Sequence, residues 1–165
     1  FMPNNNMLVF DDAKFYYRNF SGRPTQFIRE GGERGFGIFI DDPVYAQQLA
    51  EEGWNVRITK PKNSDYEPRH YLPVKVGYKF RPPVVRMVRG RKIINMTEDM
   101  IGEIDYADVT HLKVAINPRH RTDDTGEHKI TAYLREMWVT IAEEVFASDY
   151  ADYEWPVDED ELPFN

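Results

Sequence analysis

The sequence of 165 residues has no cysteine, which excludes disulfide bonds and thiolate zinc sites. It also has no apolar run near the roughly 18 residues that a membrane-spanning helix needs. The N-terminal residues have neither the basic nor the apolar segment of a signal peptide, so we expect a cytoplasmic protein with no membrane partner. Neither a phosphate-binding Gly-rich loop ending in Lys-Ser/Thr nor a Gly-x-Ser-x-Gly motif is present. The sequence therefore predicts no catalytic residue, no cofactor and no enzyme activity.

Two regions of the chain each lack charge of one sign: one has no basic residue and the other has no acidic residue. Residues 136–165 contain no Lys, Arg or His, yet they carry ten of the 28 acidic residues. The formal net charge is −7, so residues 1–135 form a mildly basic body that precedes an acidic tail. Residues 68–97 contain no Asp or Glu but have eight basic residues: Arg69, Lys75, Lys79, Arg81, Arg86, Arg89, Arg91 and Lys92. This asymmetry predicts a nucleic-acid or charged-protein partner.

Strand-like patterns dominate the body of the chain. They cover residues 7–17, 34–41, 55–60, 71–80, 84–88, 92–96, 111–117 and 129–142. Short helices are predicted at 43–52, where Asp42 precedes Pro43, and at 97–105. We predict an all-β fold with one or two short helices. The best fit is an OB-fold-like antiparallel β-barrel over residues 1–146, followed by an unstructured acidic tail, 147–165; an SH3-like barrel or β-sandwich would show the same pattern.

The acid-free segment is a candidate for binding single strands. Its Lys and Arg side chains can neutralise phosphates, while Tyr71, Tyr78 and Phe80 can stack on bases of any sequence. The segment includes a predicted hairpin joined through Arg89-Gly90-Arg91. The alternative is a solvated edge hairpin whose charges prevent edge-to-edge pairing. We predict DNA contacts from Tyr71, Lys75, Tyr78, Lys79, Phe80, Arg81, Arg86, Arg89, Arg91 and Lys92.

A second candidate is the aromatic cluster in residues 15–23. Side chains alternate between the two faces of a strand, so one or two of these four aromatic rings should face solvent beside an arginine. The alternative is a core strand with one exposed ring. A smaller aromatic–arginine pair occurs at residues 54 and 57. The candidate DNA contacts here are Phe15, Tyr17, Arg18, Phe20, Arg23, Trp54 and Arg57.

Two groups of residues could hold a metal ion in principle. One lies in a polar loop and comprises His120, Asp123, Asp124 and His128; the other comprises Glu103, Asp105 and Asp108. Either would suit a metal-dependent nuclease or resolvase. Since no helix fixes the spacing of the first group and the second flanks a short helix, we expect a solvated loop, a helix boundary and no metal site.

The C-terminal run Asp158-Glu159-Asp160-Glu161-Leu162-Pro163-Phe164 closely resembles the acidic tip of bacterial and phage single-stranded DNA-binding proteins. Those proteins end in a row of Asp followed by an aliphatic residue, Pro and Phe. Residues 17–23 and 53–56 look more like the phage-encoded members of this class. The sequence departs from the motif at Asn165, which follows the Phe and displaces the terminal carboxylate by one residue.

The resemblance implies a non-enzymatic OB-fold body that coats and protects single-stranded DNA in phage replication and recombination, in the cytoplasm of a bacterial host. It also implies a tail that recruits replication and recombination proteins. Pro163 and Phe164 would enter an apolar pocket on the partner, with Leu162 in the aliphatic position of the tip, while Asp158, Glu159, Asp160 and Glu161 would face the basic rim of the pocket. A homodimer is compatible with this interpretation. The alternatives are the nuclease and an interaction module whose acidic tail mimics DNA.

Overall fold

The computed structural model describes residues 6–24, 32–61 and 65–143; the predicted tail, 147–165, lies outside this part of the chain. The described residues form nine β-strands, one α-helix (α1, Pro43–Glu52) and a 3-10 helix (Ile101–Tyr106). The strands are β1 Leu8–Phe10, β2 Phe15–Asn19, β3 Arg34–Ile40, β4 Arg57–Ile58, β5 His70–Val76, β6 Val84–Arg89, β7 Lys92–Met96, β8 Val109–Thr122 and β9 His128–Ile141. Neither described helix has the length and apolar character needed to cross a membrane.

The sheet curls back on itself to enclose one core. Its strand order is β1-β8-β9-β5-β3-β2, so the two ends of the sheet are consecutive in the chain. The segment between them bonds to both sides: the Ala13 N–H donates to the Leu112 carbonyl at 2.8 Å, and the Phe39 N–H donates to the Lys14 carbonyl at 3.0 Å. This arrangement is an OB-like barrel, as predicted.

The sheet is mixed, which the strand patterns did not indicate. Strand β9 runs parallel to β5 at one end and to β6 along the rest of the same edge. It runs antiparallel to β8 along its other edge, from the pair Val109↔Ile141 to the pair Thr122↔His128. The other strand pairs are antiparallel. The prediction of a wholly antiparallel barrel is therefore wrong in this detail.

Alternation of side chains fills the barrel. The inward residues of β3, β5 and β9 are buried, while the residues between them face outward. The largest fully buried side chains are Phe20, Phe36, Ile38, Leu49, Leu72, Ile101, Ile104, Leu112, Ile116, Ile130, Met137 and Val74. Strands β3, β5 and β9 thus give one face to the core, and their charged side chains lie outside it.

Local signals predict several element boundaries well. Helix α1 begins after Asp42, whose carboxylate accepts from the Val44 and Tyr45 N–H groups, and it ends at Gly53 with φ 110°. The predicted strand at 7–17 is instead two strands, because the chain bends at Asp11 and Asp12, the latter with φ 60°. The second predicted helix is the 3-10 helix, shifted by a few residues.

The 3-10 helix is tied to the end of β2 by one carboxylate. The Asp105 side chain is fully buried and accepts from the Phe20 N–H at 2.6 Å, the Ser21 N–H at 3.1 Å and the Ser21 hydroxyl at 2.8 Å. It also pairs with the Arg23 guanidinium at 2.6 Å. Arg18 Nη1 donates to the carbonyls of Ile104 and Ala107 at 2.9 and 2.7 Å. These contacts close that end of the barrel.

We predict that Asp105→Ala lowers the free energy of unfolding by about 3 kcal/mol, because two backbone N–H groups and a guanidinium lose a charged acceptor. Urea unfolding followed by circular dichroism measures the change. The matched control is Glu103→Ala, an exposed carboxylate on the same helix, which should change stability by less than about 0.5 kcal/mol. Equal effects of the two substitutions would contradict the structural role of Asp105.

Candidate nucleic-acid interface

A bulge in β2 turns two adjacent tyrosines toward the same side. The register with β3 shifts between Phe15, which pairs with Ile38, and Tyr17, which pairs with Gly37. Phe15 faces the core, where its ring meets those of Phe20 and Phe36. Tyr16 and Tyr17 are both exposed, at 44% and 42%. The extra residue of the bulge thus places a pair of neighbouring rings on the outer face.

Four rings form a cluster on this face, which we call the aromatic platform: Tyr16, Tyr17, Phe39 and Tyr71. The Tyr16 ring lies 5.1 Å from Phe39 and 4.6 Å from Tyr71, between ring centroids. Tyr17 and Tyr71 are 6.4 Å apart in an edge-to-face arrangement. Phe39 and Tyr71 are directly paired across β3 and β5. The platform therefore spans three adjacent strands.

Gly37 lies directly beneath the Tyr17 ring. A Cβ atom at residue 37 would lie 2.6 Å from Cε1 of the Tyr17 ring, so the ring can lie against the strand only because the side chain is absent. This close approach desolvates the phenol. Burial, together with the neighbouring Tyr71, raises the pKa of Tyr17 above its ordinary value, although the Arg57 charge acts in the opposite direction.

Arginines flank the platform. The Arg69 guanidinium stacks on the Phe39 ring with Cζ 3.5 Å from the ring centroid. Its Nε and Nη2 donate to Oδ1 of Asp41 at 3.2 and 2.8 Å, which orients the guanidinium plane over the ring. Arg57 of β4 is exposed and pairs in register with Tyr71. Positive charge therefore borders the rings on two sides.

A groove of about 550 Å³ lies further along the same outer face. We call it the Phe80 groove; it is lined by Gly77, Lys79, Phe80, Arg81, Asn117, Pro118, Arg119, Tyr133 and Leu134. Phe80 is 87% exposed between two cations. The Arg119 guanidinium lies 5.8 Å from the Tyr133 ring centroid, and its Nη1 donates to the Tyr133 hydroxyl at 3.4 Å. Lys75 pairs in register with Tyr133 and so joins the groove to the platform.

The structure brings together seven of the seventeen residues that the sequence predicts as DNA contacts. Those on the outer face are Tyr17, Arg57, Tyr71, Lys75, Lys79, Phe80 and Arg81. Tyr78 lies beside them but is half-buried under the Arg34 guanidinium, 5.7 Å from its ring centroid, and burial raises its pKa.

Three aromatic predictions are wrong as base-stacking surfaces. Phe20 is fully buried and stacks on Phe36 with centroids 5.1 Å apart. Phe15 belongs to the same internal cluster. Trp54 is 3% exposed and forms an isolated β-bridge with Ile130 of β9. Phe20 and Trp54 thus fill the barrel core, and the half-buried Phe15 packs against it.

The remaining predicted cations make internal contacts or lie away from the platform. Arg18 and Arg23 hold the 3-10 helix, as described above. Arg86 pairs with Glu136 at 3.1 Å and also contacts Asn95 and the Trp138 ring. Arg89, Arg91 and Lys92 lie at the turn of the β6–β7 hairpin. Strand β6 follows β5 along the edge of β9, so this hairpin extends the sheet past the groove.

Five residues of the interface are missing from the predicted contacts: Tyr16, Phe39, Arg69, Arg119 and Tyr133. Alternation in β3 is a signal for Phe39, since its neighbours Ile38 and Ile40 are buried. No local signal exists for Arg119 and Tyr133. They meet because most of the predicted polar loop is β-strand: β8 and β9 pair as far as Thr122 and His128, which leaves only a turn at residues 123–127.

The two groups considered for a metal ion have other contacts. Asp105 is the buried carboxylate that joins the 3-10 helix to the end of β2. Asp123 accepts hydrogen bonds from Thr125 and Glu127 in the hairpin turn. The hydrogen bond from the Thr125 side chain lowers the pKa of Asp123. The rings of His120 and His128 stack, with Nδ1 and Nε2 3.0 Å apart. Within residues 6–24, 32–61 and 65–143, no three His, Asp or Glu side chains converge in a way that could hold a metal ion.

Comparison with known proteins identifies the family of the chain. The chain belongs to the family described as putative phage ssDNA-binding domain, whose model matches residues 1–164. Membership confirms the resemblance inferred from the tail motif and supports single-stranded DNA binding as the general function. The family consists of binding proteins and is not one of enzymes. None of the curated proteins matches the sequence.

Two similar solved structures come from bacteriophage Enc34. The chain is similar to the single-stranded DNA-binding protein of bacteriophage Enc34 in complex with ssDNA, with TM-score 0.54 and 12% identity over 84% of this chain and 88% of that chain. A second structure of the Enc34 protein matches with TM-score 0.51 and 13% identity over 92% of this chain and 87% of that one. This likeness establishes the fold.

We predict that Gly37→Ala lowers the pKa of Tyr17 toward its ordinary value near 10, since the added methyl group displaces the ring into water. Titration of tyrosine labelled with ¹³C at Cζ, followed by NMR, measures the shift, and Tyr17→Phe identifies the signal. The control is Gly77→Ala, where the new Cβ meets Tyr133 at an ordinary 3.7 Å. An unchanged Tyr17 titration in Gly37→Ala would show that the ring does not depend on the glycine.

Proposed function

We propose that single-stranded DNA binds along the outer face of the barrel, from the aromatic platform to the Phe80 groove. The observation that carries this proposal is the four-ring cluster on adjacent strands, bordered by Arg57 and Arg69 and continued by Lys75. Rings at 4.6 to 6.4 Å from one another expose π-faces and edges to solvent on one side of a sheet. Arg69 covers the Phe39 ring, while Tyr16 and Tyr17 remain 44% and 42% exposed.

Stacking provides binding that tolerates any base sequence. Each base stacked on an aromatic side chain contributes about 1–3 kcal/mol, and every base has a π-face. Tyr17 and Tyr71 offer ring surface on the platform, and Phe80 and Tyr133 offer it in the groove. The guanidinium of Arg69, whose Cζ lies 3.5 Å from the Phe39 ring centroid, adds a further planar surface on which a base can stack.

The cations of the same face bind phosphates. Arg57, Lys75, Lys79 and Arg81 are exposed on the path that joins the two ring clusters. Rings that stack and cations beside them constitute a surface for single strands, because a duplex keeps its bases stacked on one another.

Two further functions belong to this proposal: coating of single-stranded DNA by the body and recruitment of partner proteins by the tail. The body protects single-stranded DNA during phage replication and recombination, and the acidic tail recruits partner proteins through Leu162, Pro163 and Phe164. The tail carries seven acids after Ser148 and no base. Its carboxylates steer basic partners and compete with DNA for the cations of the interface. The family and the charge asymmetry of the sequence support this proposal.

We predict that fluorescent oligo-dT binds tightly at low salt, and that Tyr17→Ala and Tyr71→Ala each weaken binding about tenfold or more. Fluorescence anisotropy measures the affinity. The matched control is Tyr106→Ala, which removes a tyrosine that is 80% exposed but lies on the 3-10 helix. The proposal fails if oligo-dT does not bind, if duplex DNA binds equally well, or if the control loses as much affinity as the platform variants.

Salt dependence separates phosphate contacts from stacking. We expect Lys75→Ala to reduce the slope of log affinity against log salt by about 0.7, the value for one released counterion on a single strand. The control is Lys113→Ala, an exposed lysine on β8 that pairs in register with Trp138, away from the platform. An unchanged slope in Lys75→Ala, or an equal loss in Lys113→Ala, would remove Lys75 from the path of the DNA.

Removing residues 158–165 should leave the affinity for oligo-dT equal or higher, because the carboxylates that compete for the interface are lost. The same truncation should abolish capture of replication proteins from an extract of infected cells. Titration of both forms with oligo-dT at two salt concentrations tests the first part. Loss of DNA binding on truncation would contradict the division of roles between body and tail.

A further inference from the structure

A second cavity, of about 460 Å³, borders the aromatic platform where the loop between β4 and β5 leaves the sheet. Tyr16 and Phe39 of the platform line it, together with Arg69 just before β5. The loop contributes Lys60, Tyr66 and Glu67 to the lining. The volume lies in the range of pockets that bind small molecules, about 300–1,000 Å³.

Two hydrogen bonds hold the neck of this loop. The Thr59 N–H donates to the Arg69 carbonyl at 2.8 Å, and the Arg69 N–H donates to the Thr59 hydroxyl at 2.9 Å. The Arg69 guanidinium is fixed in turn by the Phe39 ring and by Asp41. Lys60 follows Thr59 directly and Glu67 precedes Arg69 by two residues, so both charged side chains are kept beside the platform.

The cavity continues the path proposed for the DNA. Arg69 precedes β5, Tyr71 and Lys75 lie on β5, and Gly77 of the Phe80 groove follows it. The cavity and the groove therefore lie at opposite ends of the platform. A DNA strand that runs along β5 on this face reaches the cavity next to Tyr16.

The lining suits a nucleobase better than a phosphate. Three of the side chains are aromatic, and one of them, Tyr66, is 67% exposed. Glu67 is also exposed, and its negative charge would repel a phosphate. A base is uncharged, stacks on aromatic rings and offers donors to a carboxylate on its Watson–Crick edge.

We infer that this cavity binds one base of the strand and prefers guanine, which rests on the function proposed above. The edge of guanine has two neighbouring donors, N1–H and the N2 amino group, beside the O6 acceptor. The Glu67 carboxylate accepts from both donors, and the Lys60 ammonium donates to O6 or N7. The platform accepts any base, whereas the cavity adds a preference at one position.

The other three bases match these two charges less well. Thymine has a single N–H donor between two carbonyl oxygens, which the carboxylate repels. Adenine has an amino group but no carbonyl oxygen for Lys60. Cytosine has an amino group, but its neighbour on the same edge is the N3 acceptor. Guanine alone combines two adjacent donors with a carbonyl oxygen.

Fluorescence anisotropy with oligomers of equal length tests the preference. The oligomers are all dT, or dT with one internal dG, dA or dC. We expect the dG oligomer to bind at least about fivefold more tightly than the all-dT oligomer. It should also bind more tightly than the dA oligomer, which controls for the stacking of a purine. Deoxyinosine in place of dG lacks only the N2 amino group and should lose most of the gain. Equal affinities for the dG, dA and inosine oligomers would overturn the proposal.

A substitution of the carboxylate assigns the preference to the cavity. Glu67→Gln should bring the affinities for the dG and dA oligomers within about twofold of each other, because an amide has one acceptor oxygen and cannot accept from both donors equally. The matched control is Glu103→Gln, an exposed carboxylate on the 3-10 helix, which should keep the preference. If a phosphate occupied the cavity, Glu67→Gln would tighten binding of every oligomer and leave the ratio of dG to dA unchanged, and the proposal would be wrong.

Tyr66→Ala should weaken binding of the dG oligomer about fivefold or more, because the base in the cavity loses a ring on which to stack. Tyr106→Ala, which removes a tyrosine that is 80% exposed on the 3-10 helix, should not. Equal losses in the two variants would contradict the assignment of Tyr66 to the cavity.

The all-dT oligomer separates this proposal from the proposed function. If all-dT binds and its affinity depends on Tyr17 and Tyr71, but the dG oligomer binds no more tightly, the guanine cavity alone is wrong. If none of the oligomers binds, the DNA face and the cavity are both wrong.

Discussion

The pairing of β9 with three strands is the interaction on which the rest of the structure depends. On one edge β9 bonds to β8 over the length of both strands, and on the other it bonds first to β5 and then to β6. The parallel pair with β5 closes the barrel and places Lys75 beside Tyr133. The parallel pair with β6 carries the β6–β7 hairpin beyond the groove. One strand thus positions both the candidate DNA face and the β6–β7 hairpin.

Small departures from regular sheet geometry shape the DNA face. A bulge in β2 turns Tyr16 and Tyr17 to the same side, and the glycine at 37 lets the second ring lie against β3. In a strand without the bulge, one of the two rings would have to enter the core. The rings that do enter it, Phe15, Phe20 and Phe36, pack against each other there. A single extra residue therefore separates the aromatic cluster into a core half and a surface half.

Charged side chains in this protein have two kinds of role. Arg18, Arg23 and Arg86 have carbonyl or carboxylate partners within the fold, and their charges stabilise packing. Arg57, Lys75 and Lys79 are exposed along the outer face. A count of bases along the chain cannot separate the two kinds, because Asp105 and Glu136, which engage Arg23 and Arg86, are 82 and 50 residues away in sequence.

The sequence by itself determined the elements that depend on neighbouring residues: the capped helix Pro43–Glu52, the hairpin turn at Gly90, the alternation of the strands and the acidic tail. It also indicated the family, through the Leu-Pro-Phe tip. Only the tertiary structure decided the parallel direction of β9, the burial of Phe20 and Trp54, and the meeting of Arg119 with Tyr133. Capping, turns and alternation involve residues a few positions apart, whereas strand direction, burial and long-range contacts are determined by how distant strands pair around a shared core.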